Sequence, residues 1–180
     1  MSVLRNSIVL NSEPSNANKS VKYLGIHMDS LLNLESHVNS ITRTAYYHLR
    51  NISKIRKTLD ADSAKSLVQS LVTSRVDFCN SILAKFPKKL TNKLQRVQNQ
   101  AARVISRKRK RDHMTPVLKE LHWLPIRSRI TFKILLLTYK ALNGLAPVYL
   151  TNMLHRYCPP RALRSNRSLS GTLVVPRFKN

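Results

Sequence analysis

Apolar positions change their spacing near residue 33. Before it, Ser7-Ile8-Val9-Leu10 is a short β-prone run and residues 13–19 form a Pro/Ser/Asn-rich loop. Val21-Lys22-Tyr23-Leu24-Gly25-Ile26-His27-Met28 alternates weakly around Gly25, which predicts a strand with a bulge or a close backbone approach. Residues 1–32 thus read as a β-hairpin. Two strands alone are marginally stable in water, so this hairpin needs something to pack against.

From Asn33 the period becomes helical. Leu34, Val38, Ile41, Ala45, Leu49, Ile52 and Ile55 advance by three or four and predict one buried face. At about 100° per residue, Arg43, Arg50, Lys54 and Lys57 gather on the opposite side with Tyr47 beside them. Asp60 and Asp62 are candidate N-caps for a second helix with Ala64, Leu67 and Leu71 inside, extending toward Phe78 and Ile82 before Phe86-Pro87 stops it. A third helix has the seam Leu90, Leu94, Val97, Ala101 and Val104. Its Lys89, Arg96, Arg103 and Lys110 recur every seventh residue, joined by Arg107, and its end runs into Arg107-Lys108-Arg109-Lys110-Arg111. Thr115-Pro116 predicts an N-cap and first-turn pair for a short helix to Leu121. After Leu124-Pro125, a helix over 126–142 ends at Asn143-Gly144, and Pro147 opens a last short helix carrying Leu150, Met153 and Leu154. Beyond Pro159-Pro160 the chain is basic and irregular, apart from a β-like run at Leu173-Val174-Val175. The expected fold is mainly α, a helical bundle with a short N-terminal β-hairpin and an irregular basic C-terminal tail. Its regions are 1–32, 33–111, 112–158 and 159–180.

Charge changes the picture most. Thirty-two Lys and Arg stand against eight Asp and Glu, a net charge of +24 in 180 residues. Residues 35–180 carry almost all of that excess. A balance this cationic favours a polyanionic partner: nucleic acid first, an anionic membrane second, an acidic protein third. The apolar stripes read as bundle seams and not as an aromatic-rich interfacial face, so no membrane association is expected. Two cysteines, Cys79 and Cys158, form neither a disulfide framework nor a metal-ligand spacing, which suits a reducing compartment, nucleus or cytoplasm. Cys79, in an apolar helical context, reads as a small buried hydrophobe.

Recognisable catalytic chemistry is missing. The six histidines do not pair with Cys or carboxylate at ligand spacing, Asp60 and Asp62 read as helix caps, and no phosphate-loop, dinucleotide or nucleophile-elbow motif occurs. No catalytic residue, metal ligand or cofactor is assigned. The basic faces are the positive signal: most such faces are simply solvated, but these are almost unopposed by Glu, so intrahelical ion pairing does not account for them. They predict backbone contact with RNA, DNA or an RNA–DNA hybrid through Arg43, Arg50, Lys54, Lys89, Arg96, Arg103, Arg107, Lys108, Arg109, Lys110 and Arg111, with Tyr47 placed to stack on a base or sugar. The 107–111 run also suits a nuclear-import signal. No zinc finger, homeodomain or ribonucleoprotein aromatic motif is present, so recognition is expected to follow backbone and shape.

Several blocks in order resemble the reverse transcriptases of non-LTR (LINE-class, jockey-like) retrotransposons. They are Val21 to Asp29, similar to the primer-grip hairpin that follows the palm; Ser74-Arg75-Val76-Asp77-Phe78-Cys79-Asn80; and Leu94-Gln95-Arg96-Val97-Gln98-Asn99-Gln100-Ala101-Ala102-Arg103. The most specific is Leu121-His122-Trp123-Leu124-Pro125-Ile126-Arg127, continuing to Tyr139-Lys140-Ala141-Leu142 and Ala146-Pro147-Val148-Tyr149-Leu150; Leu163-Arg164-Ser165 and Val175-Pro176-Arg177 fit the tail. The resemblance implies an RNA-directed DNA polymerase that uses Mg2+ at paired aspartates in the palm. The present sequence contains no Asp-Asp pair, and lacks fingers, palm and endonuclease. What it implies here is therefore the primer-grip hairpin, thumb and post-thumb portion, with the missing palm and fingers as natural partner and no polymerase activity of its own. Tyr23, Leu24 and Gly25 are the primer-grip candidates, Tyr23 and Leu24 being equally suited to strand packing, and Trp123 is expected to anchor a packing corner. Two other readings are a decayed reading frame without selected function and a domesticated nucleic-acid-binding or interaction module.

Overall fold

The computed structural model describes residues 8–10, 13–15, 20–29, 32–157 and 172–175. Cys158 and most of the 159–180 tail, including Leu163-Arg164-Ser165 and Pro176-Arg177, lie outside them. The chain is mainly α-helical with β structure at its N-terminal end, and it divides into two compact units, Met1–Arg129 and Ile130–Asn180.

Two antiparallel hairpins open the first unit. β1 (Ile8–Leu10) pairs with β2 (Glu13–Ser15), so the start of the expected loop is a strand. β3 (Ser20–Tyr23) pairs with β4 (Ile26–Asp29), in register Val21↔Met28 and Tyr23↔Ile26. The predicted single strand with a bulge at Gly25 is thus itself a hairpin. Leu24 (φ 45°) and Gly25 (φ 83°) form its two-residue turn, the positive-φ pair whose twist matches that of the strands it joins. Among the described side chains of this hairpin, Ile26 is buried.

α1 (Glu35–Ile55) starts after a left-handed Leu34, and Asn33 Oδ1 accepts the Glu35 N–H at 2.9 Å. Its buried face is His37, Val38, Ala45, Leu49 and Ile52. The second helical run is α2 (Ala61–Val68), a π-helical turn (Gln69–Thr73) and α3 (Ser74–Asp77). Asp60 caps it, accepting the N–H groups of Asp62 and Ser63. Its buried line is Ala64, Val68, Val72 and Val76, with the expected Leu67 and Leu71 only half-buried. Residues four apart drift around a 3.6-residue helix, and the wider π turn offsets that drift, keeping Val72 and Val76 on the inner side.

The run ends at Asp77, short of Ile82. Phe78 is extended, Cys79 is left-handed (φ 52°) and half-buried, and Asn80–Lys85 is a separate 3₁₀ helix. Cys79 therefore sits at a helix break and not inside a helix. α4 (Lys88–Ser106) buries the expected seam together with Thr91, Gln98, Ala102 and Ile105. Leu49 and Leu94 are among the most deeply buried side chains, and truncating either to Ala should cost about 2–5 kcal/mol.

α1 and α4 run parallel. Glu35, at the start of α1, reaches Lys89 and Lys93 at the start of α4, and Arg56, just past the end of α1, reaches carbonyls at the end of α4. The α2–α3 run returns alongside both. α5 (Thr115–Glu120) is capped by Met114, which puts Thr115 inside the helix and Pro116 in its first turn, one position later than expected.

α6 (Ile126–Leu142) passes from the first unit into the second. It ends as predicted: Gly144 has φ 68° and the Leu145 N–H reaches back to the Lys140 carbonyl at 2.8 Å, a Schellman closure. α7 (Val148–Thr151) follows Pro147 and stops before Met153 and Leu154. The β-like run at 173–175 makes one antiparallel bridge, Leu173 to Arg156.

Candidate nucleic-acid interface

The α1 stripe is exposed along its length. Arg43, Tyr47, Arg50 and Lys54 lie on the side of α1 opposite Val38, Ala45 and Leu49, because steps of four, three and four keep residues on one line of the helix. Tyr47 is 63% exposed, and its ring meets His48 edge-on at 5.4 Å, leaving it open to a flat ligand. Acidic groups lie elsewhere: Glu35 pairs with Lys89 (3.5 Å) and Lys93 (3.3 Å), and Asp77 with Arg129 (2.6 Å). Arg43, Arg50 and Lys54 take part in none of these.

The α4 face is less uniform. Lys89 is exposed yet shares the Glu35 carboxylate with Lys93, whose hydrogen bond is the main cause of that carboxyl's lowered pKa, followed by the charge of Lys89. Arg96 is exposed. Arg103 is half-buried; its Nη2 reaches the Asp112 carbonyl at 3.5 Å, and its buried Nε has no hydrogen-bond partner among the described residues. Arg107 ends the helix in a left-handed conformation (φ 55°) and donates Nη2 to the carbonyls of Arg56 (3.1 Å) and Leu59 (3.3 Å). Lys108, Arg109, Lys110 and Arg111 form an exposed loop closed by Asp112, whose carboxylate accepts the Arg109 N–H at 2.7 Å.

Arg56 was not singled out by the sequence, and it organises this end of the molecule. Its guanidinium is buried and donates to the carbonyls of Val104 (2.9 Å), Ile105 (2.7 Å) and Leu59 (2.7 Å). Those carbonyls in the last turn of α4 have no intrahelical donor, so a fixed cation from another helix satisfies them and offsets the negative end of the helix dipole. The ends of α1 and α4 are thereby locked together, with Arg103, Arg107, Lys108 and Lys110 around the join.

At the opposite end of the bundle, the hairpin tip exposes Tyr23 (61%) and Leu24 (76%), so neither is buried among the described residues. Beneath it lies a cleft of about 550 Å³ lined by Lys22, Gly25, His27, His37, Ser40, Thr44, Arg75 and Phe78, among others. His37 is buried and its Nδ1 accepts the His27 backbone N–H at 3.4 Å, tying β4 to α1. Burial first, and the neighbouring His27 second, push its pKa below the usual histidine value of 6.5.

Three of the sequence blocks singled out above, at Asp77, at Gln95 and Gln98, and at Trp123 to Ile126, meet at a part-buried polar corner. Arg129 joins the Asp77 carboxylate, donates Nε to the Leu124 carbonyl at 3.0 Å and lies 5.7 Å over the Trp123 ring. Gln98 Nε2 donates to the same Leu124 carbonyl, and Gln95 Oε1 accepts the Ile126 N–H at 2.9 Å. Trp123 is buried, in the anchoring place expected of it. These are packing residues, and the exposed cations lie away from them in role.

On α6, Phe132, Leu135, Leu137 and Tyr139 are exposed, so this helix does not present its apolar residues as a seam. Among the described residues no helix is long and apolar enough to cross a membrane, and no group of three or more His, Cys, Asp or Glu is placed to hold a metal ion. Compared with known protein families, curated proteins and solved structures, the chain has no match.

Proposed function

We propose that this chain binds the sugar–phosphate backbone of RNA, DNA or their hybrid, with little dependence on sequence, as the primer-grip, thumb and post-thumb portion of a reverse transcriptase of the non-LTR retrotransposon type. The observation that carries the reading is the α1 stripe: three cations and an open tyrosine in one exposed line, with no carboxylate paired to them among the described residues. The +24 charge and the cations at the end of α4 point the same way. The family part rests on the order of sequence blocks. With no Asp-Asp pair in the chain, the role assigned to it is grip and not phosphoryl transfer. Mg2+ would belong to a palm supplied elsewhere.

The test is titration of labelled single-stranded RNA, duplex DNA and hybrid by fluorescence anisotropy across salt concentrations. Engagement of about six phosphates gives a log–log slope of about −4 to −5 whatever the sequence. A slope near zero, or binding confined to one sequence, overturns the reading. A single cooperative unfolding transition would favour a folded binding module, and a non-cooperative, aggregating melt a decayed frame.

A further inference from the structure

We infer that the notch where α1 and α4 end is a built seat for a phosphate group, a backbone phosphodiester or a free polyphosphate. The source named first rests on the nucleic-acid reading above; the seat itself does not. The notch has a volume of about 370 Å³, and its lining includes Ser53, Arg56, Arg103, Arg107, Lys108 and Lys110, with no carboxylate among the described residues.

Three features distinguish it from an ordinary basic surface. Two of its cations are held in place by the fold: Arg56 by three main-chain carbonyls, Arg107 by two. A guanidinium already immobilised loses little entropy when an anion arrives. The carbonyls that would repel an anion at the end of α4 are occupied by Arg56, so the local field is that of the cations. Arg103 also lines the notch, half-buried, with its Nη2 at 3.5 Å from the Asp112 carbonyl. Lys108 and Lys110 remain exposed and close the ring as mobile charges able to follow an oxygen. Fixed guanidinium forks with flexible ammoniums beside them suit the several oxygens of a phosphate group.

The experiment follows the arginine Nε–Hε signals of the full chain by NMR while inorganic pyrophosphate is added, then a single-stranded oligonucleotide. The expected result is saturable shifts of a small set of arginine signals, fitted by one site. Lys108→Gln with Lys110→Gln should weaken that site by about tenfold, whereas Lys65→Gln with Lys85→Gln, which removes the same charge from exposed positions elsewhere, should leave it unchanged. All four lysines are exposed, so both variants keep the fold, as their spectral dispersion will report. Displacement of pyrophosphate by the oligonucleotide supports the seat and the nucleic-acid reading together. Saturable pyrophosphate binding that the oligonucleotide does not displace keeps the seat, assigns it to a free polyphosphate and removes the nucleic-acid reading at this site. Unsaturable drift of all arginines, or equal weakening by both double variants, overturns the seat even if the oligonucleotide binds elsewhere.

Discussion

Arg129 meets Asp77 at 2.6 Å across 52 residues of sequence, tying the start of α6 to the end of α3. Around that pair the Leu124 carbonyl, the Trp123 ring, Gln95 and Gln98 complete a corner in which one guanidinium serves a carboxylate, a carbonyl and an aromatic face. Arg129→Ala removes all three contacts, and should cost about 2–3 kcal/mol. Arg129→Lys keeps a charge but not the forked geometry, and should fall between the two. Urea unfolding followed by Trp123 fluorescence measures both; equal stability of the wild type and the Ala variant would refute the role.

Arg56 is the second structural cation. Arg56→Ala strips donors from three carbonyls at the join of α1 and α4 and should lower stability by about 3 kcal/mol. The interaction is buried, so the loss should persist at high salt, unlike that of a surface ion pair. Thermal melts at low and high ionic strength check both the size and the salt independence.

His37 predicts an acid-side loss of stability. Burial and His27 lower its folded pKa, so the unfolded chain binds the proton more readily. Its contribution is therefore fully present above the unfolded value of 6.5, and is lost as pH falls through the folded value, below which it changes no further. Unfolding free energies measured from pH 7.5 downward should decline in that window, and His37→Gln should flatten this part of the profile. A decline of equal size in the variant assigns it to other groups.

The α1 stripe should affect binding and spare stability. Replacing Arg43, Arg50 and Lys54 by Gln is expected to make the salt slope shallower by about 2–3, one counterion per lost contact, with each change within about 0.5 kcal/mol in stability. Lys89→Gln should matter less, because Glu35 already shares its charge. Tyr47→Ala should weaken single-strand binding by about 1–3 kcal/mol if a base stacks there. Anisotropy titrations rank the five positions, and an effect of Lys89 larger than that of Arg43 would move the interface to α4.

Gly25 tests the hairpin. A β-carbon there would meet the Phe78 ring at 3.5 Å, an ordinary contact, so the cost of Gly25→Ala comes from its positive φ of 83° and should be about 1 kcal/mol. Gly25→Asn should recover part of it, since Asn tolerates that conformation better. Equal losses for Ala and Asn would point to space and not to backbone.

Much of the fold was legible in the chain. The 3.6-residue period of Val38, Ala45, Leu49 and Ile52, and of Leu90, Leu94, Val97 and Ala101, identifies two amphipathic helices and their buried faces. Asp60 and Gly144 mark helix ends through local backbone chemistry, and the line of Arg43, Tyr47, Arg50 and Lys54 follows from helical geometry alone. All of these depend on residues within a few positions of one another. What only the tertiary structure decided depends on residues far apart. Whether Lys89 is free depends on where Glu35 lands, and Arg56 becomes a clamp only because the last turn of α4 arrives beside it about 50 residues later. The π turn that swings Val72 and Val76 inward, and the Leu24-Gly25 turn with a leucine at positive φ, set local preference against packing and cross-strand pairing, and the longer-range interactions prevail. Local periodicity encodes which face is wet. The partner of each charge is chosen by the packing of helices, because a side chain's surroundings are set by segments its own neighbours do not specify.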